Sequence, residues 1–522
     1  RHAITIAGSR SGKGAGLIIP NLKRWPDNVL VIDPKGENAE LTYQDREAMG
    51  QAVHVLDPFG SADIPDRIRA KFNPLASIDL TSNRARQDIL DIANGLVISH
   101  DPKHMEWVEG ARSLLAGIIA YVVADAPPEH RNFTQVRALL MQPTSRPNEG
   151  EEPQGLWADA HIMAQDNRIG GLIRNAGVTL ITAMESEKSM EKDFLGGARR
   201  ATEWLDDDAI ADCLADSTFQ MSDLKTGDAS VFLVLPADGT FLKTYGAFLR
   251  LFVKTALNVM AKHQTSKRCL FILDEFYSLK KLDELTESAG LLPSYGVHLW
   301  PFMQNLTQLY ELYGRDGAET FFGNADAHIF FGNSDRTTLK YVSEQIGNYL
   351  PNELAKAPPI RTSTEWTQAK DAGFWETEKQ YIERKTVEDD NAQREYRHKQ
   401  ALAGSPRLPP DQVKALVAKM DDDSVAGSMI VFGKGRDVFN LKLAPYFETQ
   451  EEQEDKKEVI RLPQPTQDDP WIMATISLST LGGFFGFVVL PFLFGISPFF
   501  GALIGVIIAI AFLLYERAED RK

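Results

Sequence analysis

A strand-like segment, a glycine-containing loop and a helix-like segment open the chain, and this order constrains the fold more than any other feature. The three segments read AITIA, GSRSGKG and AGLIIPNL. Such a loop binds phosphates because backbone N–H groups and a helix N-terminus face the anion while a lysine neutralises it. Gly12 and Lys13 match the pattern G-x-x-x-x-G-K-[ST], but Ala7 replaces its first glycine and Gly14 its final hydroxyl residue.

The loop predicts a nucleotide site with a nonstandard rim. We expect it to bind ATP through seven consecutive residues: Ser9, Arg10, Ser11, Gly12, Lys13, Gly14 and Ala15. Gly14 removes the hydroxyl that usually binds Mg²⁺, and Ser11 or a water molecule is the available replacement.

Further apolar runs predict that the loop belongs to an α/β fold with a doubly wound, mostly parallel sheet. The runs are NVLVID (28–33), AVHVLD (52–57), ASVFLVLP (229–236), CLFILDEF (269–276), VHLWPFMQ (297–304) and AHIFFG (327–332). Between the second and third runs the pattern is helical and broken by prolines, which predicts an all-helical domain inserted into the sheet domain. A final hairpin is predicted by the segment SMIVFGKGRDVFNLKL. The charged segment before it, 362–405, predicts an extended helix or a mobile loop.

Two carboxylates follow a predicted strand, and a phosphate-binding loop needs such groups nearby to hold Mg²⁺ and activate water. Asp274 and Glu275 end the run CLFILDEF. In P-loop ATPases an aspartate at this place holds Mg²⁺ and the next glutamate orients and deprotonates the attacking water. The alternative is a helix N-terminus with acidic residues that suit its dipole. Chance rarely supplies both this pair and a Gly-Lys loop in strand context, which favours the catalytic interpretation.

Polar residues also end two neighbouring runs. Gln304 follows HLWPFM, where an amide can contact the γ-phosphate or its water; a helix-capping role is the alternative. Asp33, Lys35 and Glu37 follow the second strand and either line the same crevice or belong to a turn fixed by Pro34 and Gly36.

Composition excludes several other classes of protein. The only cysteines, Cys213 and Cys269, have no metal-binding or disulfide spacing, and the histidines form no ligand pair with a carboxylate. The formal net charge of −16 provides no global attraction for nucleic acid, so any contact with DNA must be local.

Residues 471–515 contain no charged side chain. This length is too great for one membrane span of about 20 residues and suits two. Gly495, Ser497 and Pro498 lie where the turn of a transmembrane helical hairpin is expected. A very apolar pair of buried helices is the alternative.

Several segments together resemble the VirD4/TraG-type coupling proteins of type IV secretion and conjugation. They include SRSGKGAGLIIPNLKRWPDNVLVIDPKGENAELT, LFILDEFYSLKKLDEL, QNLTQLYELYG and FFGNADAHIFFGNSDRTTLKYVSEQIG, and the likeness runs from residue 1 to about 350. The resemblance implies a RecA-like P-loop ATPase domain with an inserted all-helical domain. It also implies that Lys13 binds phosphate, Asp274 holds Mg²⁺, Glu275 activates water and Gln304 senses the γ-phosphate.

With the resemblance, the predicted organisation has six parts. Residues 1–83 and 217–445 form the ATPase domain, 84–216 the substrate-facing helical insert, 446–470 a polar tether, 471–515 two transmembrane helices and 516–522 a short tail. This order differs from the usual one in the family, whose membrane helices precede the ATPase domain.

The function implied is that of a membrane-anchored ATPase that couples a relaxase–DNA complex or an effector protein to a type IV secretion channel. The expected partners are the channel subunits, single-stranded DNA, the membrane and further copies of the chain in a ring, with a hexamer as one arrangement. The expected location is the bacterial inner membrane, with several membrane passes and the ATPase domain in the cytoplasm. The alternative is a catalytically weak docking platform that binds ATP and recruits substrate, which Ala7 and Gly14 favour and Glu275 disfavours.

Overall fold

One ten-stranded sheet organises the computed structural model. The structure describes residues 2–98, 105–146, 152, 154–186, 189–236, 239–263, 265–282, 285–286, 288–348, 378–401, 405–418, 428–433, 438–443, 445–447 and 475–476. The strands are β1 (His2–Ala7), β2 (Asn28–Ile32), β3 (Ala52–Leu56), β4 (Ala229–Leu233), β5 (Cys269–Leu273), β6 (Val297–Met303), β7 (Ala325–Phe331), β8 (Ser428–Gly433), β9 (Val438–Lys442) and β10 (Thr475–Ile476). Their order across the sheet is β10-β9-β8-β7-β1-β6-β5-β2-β4-β3.

The seven strands from β1 to β7 pair in parallel, as the sequence predicts. β8 pairs antiparallel with β7 and with β9, which confirms the predicted hairpin. Because the seven parallel strands share one direction, the loops that follow them gather at a single edge. The fold is therefore the predicted α/β fold with a mostly parallel sheet.

The core lies on both faces of the sheet, which explains why the strands read as continuous apolar runs. Alternate residues of β2 enter different clusters: Leu30 and Ile32 pack on one face, Val29 and Val31 on the other. All four side chains are fully buried. Such strands form the backbone hydrogen bonds of the sheet and also bury apolar side chains on both of its faces.

Helices cover the sheet and fill the connection between β3 and β4. They are α1 (Ile19–Leu22), α2 (Glu37–Ala48), α3 (Ala85–Leu96), α4 (Met105–Asp125), α5 (Phe133–Leu140), α6 (Gly155–Met163), α7 (Leu172–Glu185), α8 (Met190–Ala201), α9 (Asp208–Ala215), α10 (Asp223–Thr226), α11 (Gly239–Lys262), α12 (Leu306–Asn324), α13 (Arg336–Ile346), α14 (Glu378–Ala401) and α15 (Pro410–Val417). α14 gives the charged segment its helical form.

The connection from β3 to β4 leaves and rejoins the sheet domain at one neck. Phe72 N–H donates to the Cys213 carbonyl at 3.0 Å, and Thr218 N–H donates to the Lys71 carbonyl at 3.0 Å. Among the described residues between β3 and β4, regular structure is helical only. The boundaries 84–216 for a separate domain remain a prediction.

α4 runs through the middle of these helices. Among the described helices it is the one whose length and composition would allow a membrane crossing, yet more than half of its most apolar stretch is buried inside the protein. Ala116, Ile118 and Ile119 are fully buried in the common core. Its apolar character is explained by this packing.

Most of the predicted tether and transmembrane hairpin lies outside the described residues. Within 471–515 the structure describes only β10, which pairs in parallel with β9. These two residues form a strand where the sequence predicts helix. Thr475 and Ile476 are β-branched, which favours a strand over a helix, and they lie beside Asn440 and Leu441 of β9.

A buried arginine joins α1, α2 and the sheet. The Arg46 guanidinium is fully buried, and burial lowers its pKa to about 10. Its N–H groups donate to Leu22 O, Trp25 O, Asp27 O, Gln51 Oε1 and Ser230 Oγ. Five acceptors from separate segments therefore depend on one side chain.

We predict that Arg46→Met lowers the free energy of unfolding by about 3 kcal/mol, because buried acceptors lose charged donors. Urea unfolding monitored by circular dichroism measures the change. Arg67→Met is the matched control. Arg67 pairs with Glu47 at the surface, so the free energy of unfolding of this variant should equal that of the wild type. Equal free energies of unfolding for the two variants would contradict the stabilising role of Arg46.

Candidate functional site

The predicted site residues meet where the parallel strands end. β1 leads into the loop with Lys13, β5 into Asp274 and Glu275, and β6 into Gln304. Because β6 lies between β1 and β5, these groups occupy one crevice at the carboxyl edge of the sheet.

The loop after β1 has the backbone of a phosphate cradle. Arg10 and Gly12 have φ of 54° and 87°, in the left-handed region. The chain then enters a π-helical turn over Gly14–Ile18 that continues as α1, with no side-chain hydrogen bond at its start. The N-terminal N–H groups of this turn thus lack a side-chain cap and are available to an anion.

Two glycines let the loop pack against the end of β7. A Cβ on Gly8 would lie 2.0 Å from Gly332 O, and a Cβ on Gly332 would lie 2.3 Å from Ser11 Cβ. Gly332 also has φ of 61°. The motif FFGNSD therefore supports the loop through Gly332, a role that sequence reasoning did not assign. An isolated glycine directly after an apolar strand is the signal that marks such a close approach.

The structure gives Ser11 a different task from the predicted one. Its side chain is buried, and its hydroxyl donates to Gly8 O at 2.6 Å. The hydroxyl thus closes the loop on itself, which makes it a poor replacement for the missing Mg²⁺ ligand. Ser9 and Arg10 lie exposed on the rim, while Gly12, Gly14 and Ala15 are half-buried.

Lys13 links the loop to the carboxylates. Its Nζ lies 3.6 Å from Asp274 Oδ1 and 3.7 Å from Glu275 Oε1. Gln304 Nε2 donates to Glu275 at 3.4 Å from Oε1 and 3.5 Å from Oε2. The amide and the carboxylate are therefore adjacent at the ends of two neighbouring strands.

Glu275 occupies an unfavourable backbone conformation. Its φ and ψ are 53° and 45°, which is left-handed for a residue with a Cβ. This conformation costs on the order of 1–2 kcal/mol. Strain of this kind persists only where the surroundings enforce it, and it clusters at functional sites.

Burial raises the pKa of Asp274, while Lys13 opposes the rise and Glu275 adds to it. Asp33, which follows the next strand β2, has its pKa raised to about 7 by burial and, to a smaller extent, by Asp274. Its carboxylate accepts hydrogen bonds from Asn38 Nδ2 at 3.0 Å and Ala39 N–H at 2.8 Å. Asp33 therefore lies beside the crevice and also fixes the start of α2.

Lys35 and Glu37 do not join the crevice. They pair with each other at 3.7 Å, and both side chains are about two-thirds exposed. Their alternative assignment to the turn around Gly36, which has φ of 77°, is the one that the structure supports.

The donor set fits Mg²⁺ bound together with a nucleotide. Within the described residues there is no group of three or more His, Cys, Asp and Glu side chains that could hold a metal by itself. Mg²⁺ typically takes one or two carboxylates together with phosphate oxygens and waters, and Asp274 fits that requirement. A Cβ on Gly14 would meet no atom of a neighbouring segment within 4 Å, so a water has room where a hydroxyl usually lies.

Comparison with known proteins gives a family match. The model described as "Type IV secretory system Conjugative DNA transfer" matches residues 1–467. Protein VirD4 of Agrobacterium fabrum is 26% identical over 453 residues, covering 85% of this chain and 58% of the relative. The coupling protein VirD4 of Bartonella quintana is 28% identical over 360 residues, covering 66% and 53%. The chain spans about half the length of the curated relatives it matches.

Solved structures share the fold. The conjugative coupling protein TrwBΔN70 in its unbound monoclinic form has a TM-score of 0.54 and 14% identity, covering 85% of this chain and 84% of its own. TrwB in complex with ADP and Mg²⁺ has a TM-score of 0.54 and 14% identity, covering 86% of each chain.

We predict that Asp33→Asn stabilises the fold more strongly as the pH rises. The raised pKa means that wild-type stability falls between about pH 4 and 7, where the folded state keeps the proton that the unfolded chain has lost. The difference in unfolding free energy between variant and wild type should therefore grow by up to about 1.4 kcal/mol per pH unit in that window. Urea unfolding in EDTA at pH 5, 6, 7 and 8 measures it.

Asp66→Asn provides the control, because that side chain is fully exposed and should give no such trend. A difference for Asp33→Asn that stays constant from pH 5 to 8 would contradict the prediction.

Proposed function

The chain belongs to the type IV secretory system conjugative DNA-transfer family, and we propose that it is an ATPase that couples substrate to a type IV secretion channel and drives transfer by ATP hydrolysis. The substrate is a relaxase–DNA complex or an effector protein. Family membership supports the channel and the transfer. The site chemistry supports the ATPase activity.

The observation that carries the proposal is the junction of Lys13, Asp274, Glu275 and Gln304 at three adjacent strand ends. The backbone N–H groups of residues 9–15 and the Lys13 ammonium would bind the phosphates. Asp274 would hold Mg²⁺, which supplies neutralisation of the phosphate oxygens when bound.

Glu275 and Gln304 would act on the attacking water. The carboxylate accepts a proton from the water while the amide fixes its position near the γ-phosphate. Lys13 Nζ lies within 4 Å of both carboxylates. A triphosphate would draw the ammonium away and leave Glu275 free to accept that proton.

The docking platform remains the second candidate. Gly14, which lacks the usual hydroxyl, favours it. The strained backbone of Glu275 disfavours it, because a scaffold that only binds nucleotide gains nothing from a strained carboxylate next to the lysine.

The remaining parts of the proposal follow the predicted organisation. The helices between β3 and β4 would face the substrate, with 84–216 as the proposed domain. Apart from Thr475–Ile476, which pair with β9, residues 471–515 would anchor the chain in the bacterial inner membrane as two spans, and 446–470 would tether the cytoplasmic ATPase domain to them. Copies of the chain would form a ring, with six as the proposed number.

We predict that the full chain in detergent hydrolyses ATP and that single-stranded DNA stimulates this hydrolysis. Lys13→Ala should abolish both nucleotide binding and turnover. Glu275→Gln should retain binding and lower turnover by at least about 100-fold, because it removes the general base. Phosphate release with and without DNA measures turnover, and equilibrium binding of a labelled nucleotide measures affinity.

Lys35→Ala is the matched control, since Lys35 is an exposed lysine outside the crevice. It should behave as the wild type. Tight nucleotide binding without turnover in the wild type, with or without DNA, would overturn the motor and support the docking platform.

A further inference from the structure

The segment that follows β9 packs against the first turn of the helix after the phosphate loop. Tyr446 N–H donates to Ala15 O at 3.1 Å. A Cβ on Gly16 would lie 2.6 Å from Leu443 Cδ2, so glycine is what lets the two segments meet. The segment is thereby fixed beside Ala15, the last of the predicted nucleotide-binding residues.

Two large aromatic side chains stand on this segment. The ring centroids of Tyr446 and Phe447 lie 5.3 Å apart with an interplanar angle of 79°. Tyr446 is 39% exposed and Phe447 60% exposed. Lys23 Nζ lies 5.7 Å from the centre of the Tyr446 ring, which adds a cation to one side of the pair. Phe447 is the most exposed large apolar side chain among the described residues, and the site described above does not use it.

The sheet order fixes which end of a triphosphate lies near these rings. Asp274, Glu275 and Gln304 follow β5 and β6, on one side of β1, so the γ-phosphate belongs on that side. β7, β8 and β9 lie on the other side of β1. The α-phosphate lies against the first turn of the helix, and the nucleoside leaves the loop away from the carboxylates. That direction leads toward the segment after β9.

We propose that Tyr446 and Phe447 form an aromatic platform for the base of the bound nucleotide. Because the two rings lie at 79° to each other, one ring stacks on the base and the other contacts its edge. This proposal rests on the proposed nucleotide site and adds the surface that holds its nucleoside end. A ring face accepts any base by stacking, so the platform contributes affinity and little discrimination between adenine and guanine.

The test uses the full chain in detergent and two probes, a non-hydrolysable ATP analogue and inorganic tripolyphosphate. Tyr446→Ala and Phe447→Ala should each weaken binding of the ATP analogue about tenfold, in line with the loss of one aromatic contact to the base. Affinity for tripolyphosphate should stay unchanged, because it has no base. Tyr446→Phe should keep the wild-type affinity. Isothermal titration calorimetry measures all of these.

Tyr295→Ala is the matched control. Tyr295 is 36% exposed. It directly precedes β6 and so lies at the amino ends of the parallel strands, away from the crevice at their carboxyl ends. Its variant should bind both probes as the wild type does. Thermal unfolding of each variant checks that the fold is retained.

Three results would overturn or separate the proposals. Unchanged affinity of both alanine variants for the ATP analogue, with binding lost in Lys13→Ala, overturns the platform and leaves the proposed function intact. Equal weakening for the ATP analogue and tripolyphosphate also overturns it, because the segment then supports the loop and not the base. Binding that Lys13→Ala does not affect overturns the proposed nucleotide site itself.

Discussion

The place of β1 between β6 and β7 is the constraint on which the site depends. Parallel pairing to β6 brings the loop beside Gln304 and one strand from Asp274. Pairing to β7 brings Gly332 against Gly8 and Ser11, so the loop is supported from the other side. The loop therefore takes its shape from two neighbouring strands as well as from its own residues.

Lys13 balances the negative charge of the two carboxylates in the crevice. The adjacent carboxylates of Asp274 and Glu275 repel each other, and burial penalises the charge of Asp274. Lys13 offsets this by lying within 4 Å of both. The same ammonium is the group that a triphosphate attracts, so a nucleotide and the carboxylates compete for it. Mg²⁺ bound with the nucleotide would restore the balance that the lysine leaves behind.

Sequence reasoning predicted the strands, and it named the residues that the structure brings together at their ends, because both depend on local patterns. Runs buried on both faces, such as NVLVI, identify parallel strands, and polar residues directly after them identify the functional edge. It did not reach the partner that each of several groups takes. The Ser11 hydroxyl donates to Gly8 O three positions earlier, Lys35 pairs with Glu37 two positions later in place of lining the crevice, and Tyr446 meets Ala15 across more than 400 positions of the chain. None of these contacts leaves a periodic signal, because the first two are choices among local partners and the third is set by tertiary packing.

The neck at Lys71–Phe72 and Cys213–Thr218 has a consequence for how such chains diverge. The two ends of the helical segment are joined by backbone hydrogen bonds at the neck. The segment between them can therefore lengthen, shorten or be exchanged by recombination without altering the register of β3 on β4. The entropy of closing a longer connection rises only slowly with its length. Selection can therefore remodel the helical part while the carboxyl edge of the sheet is inherited unchanged.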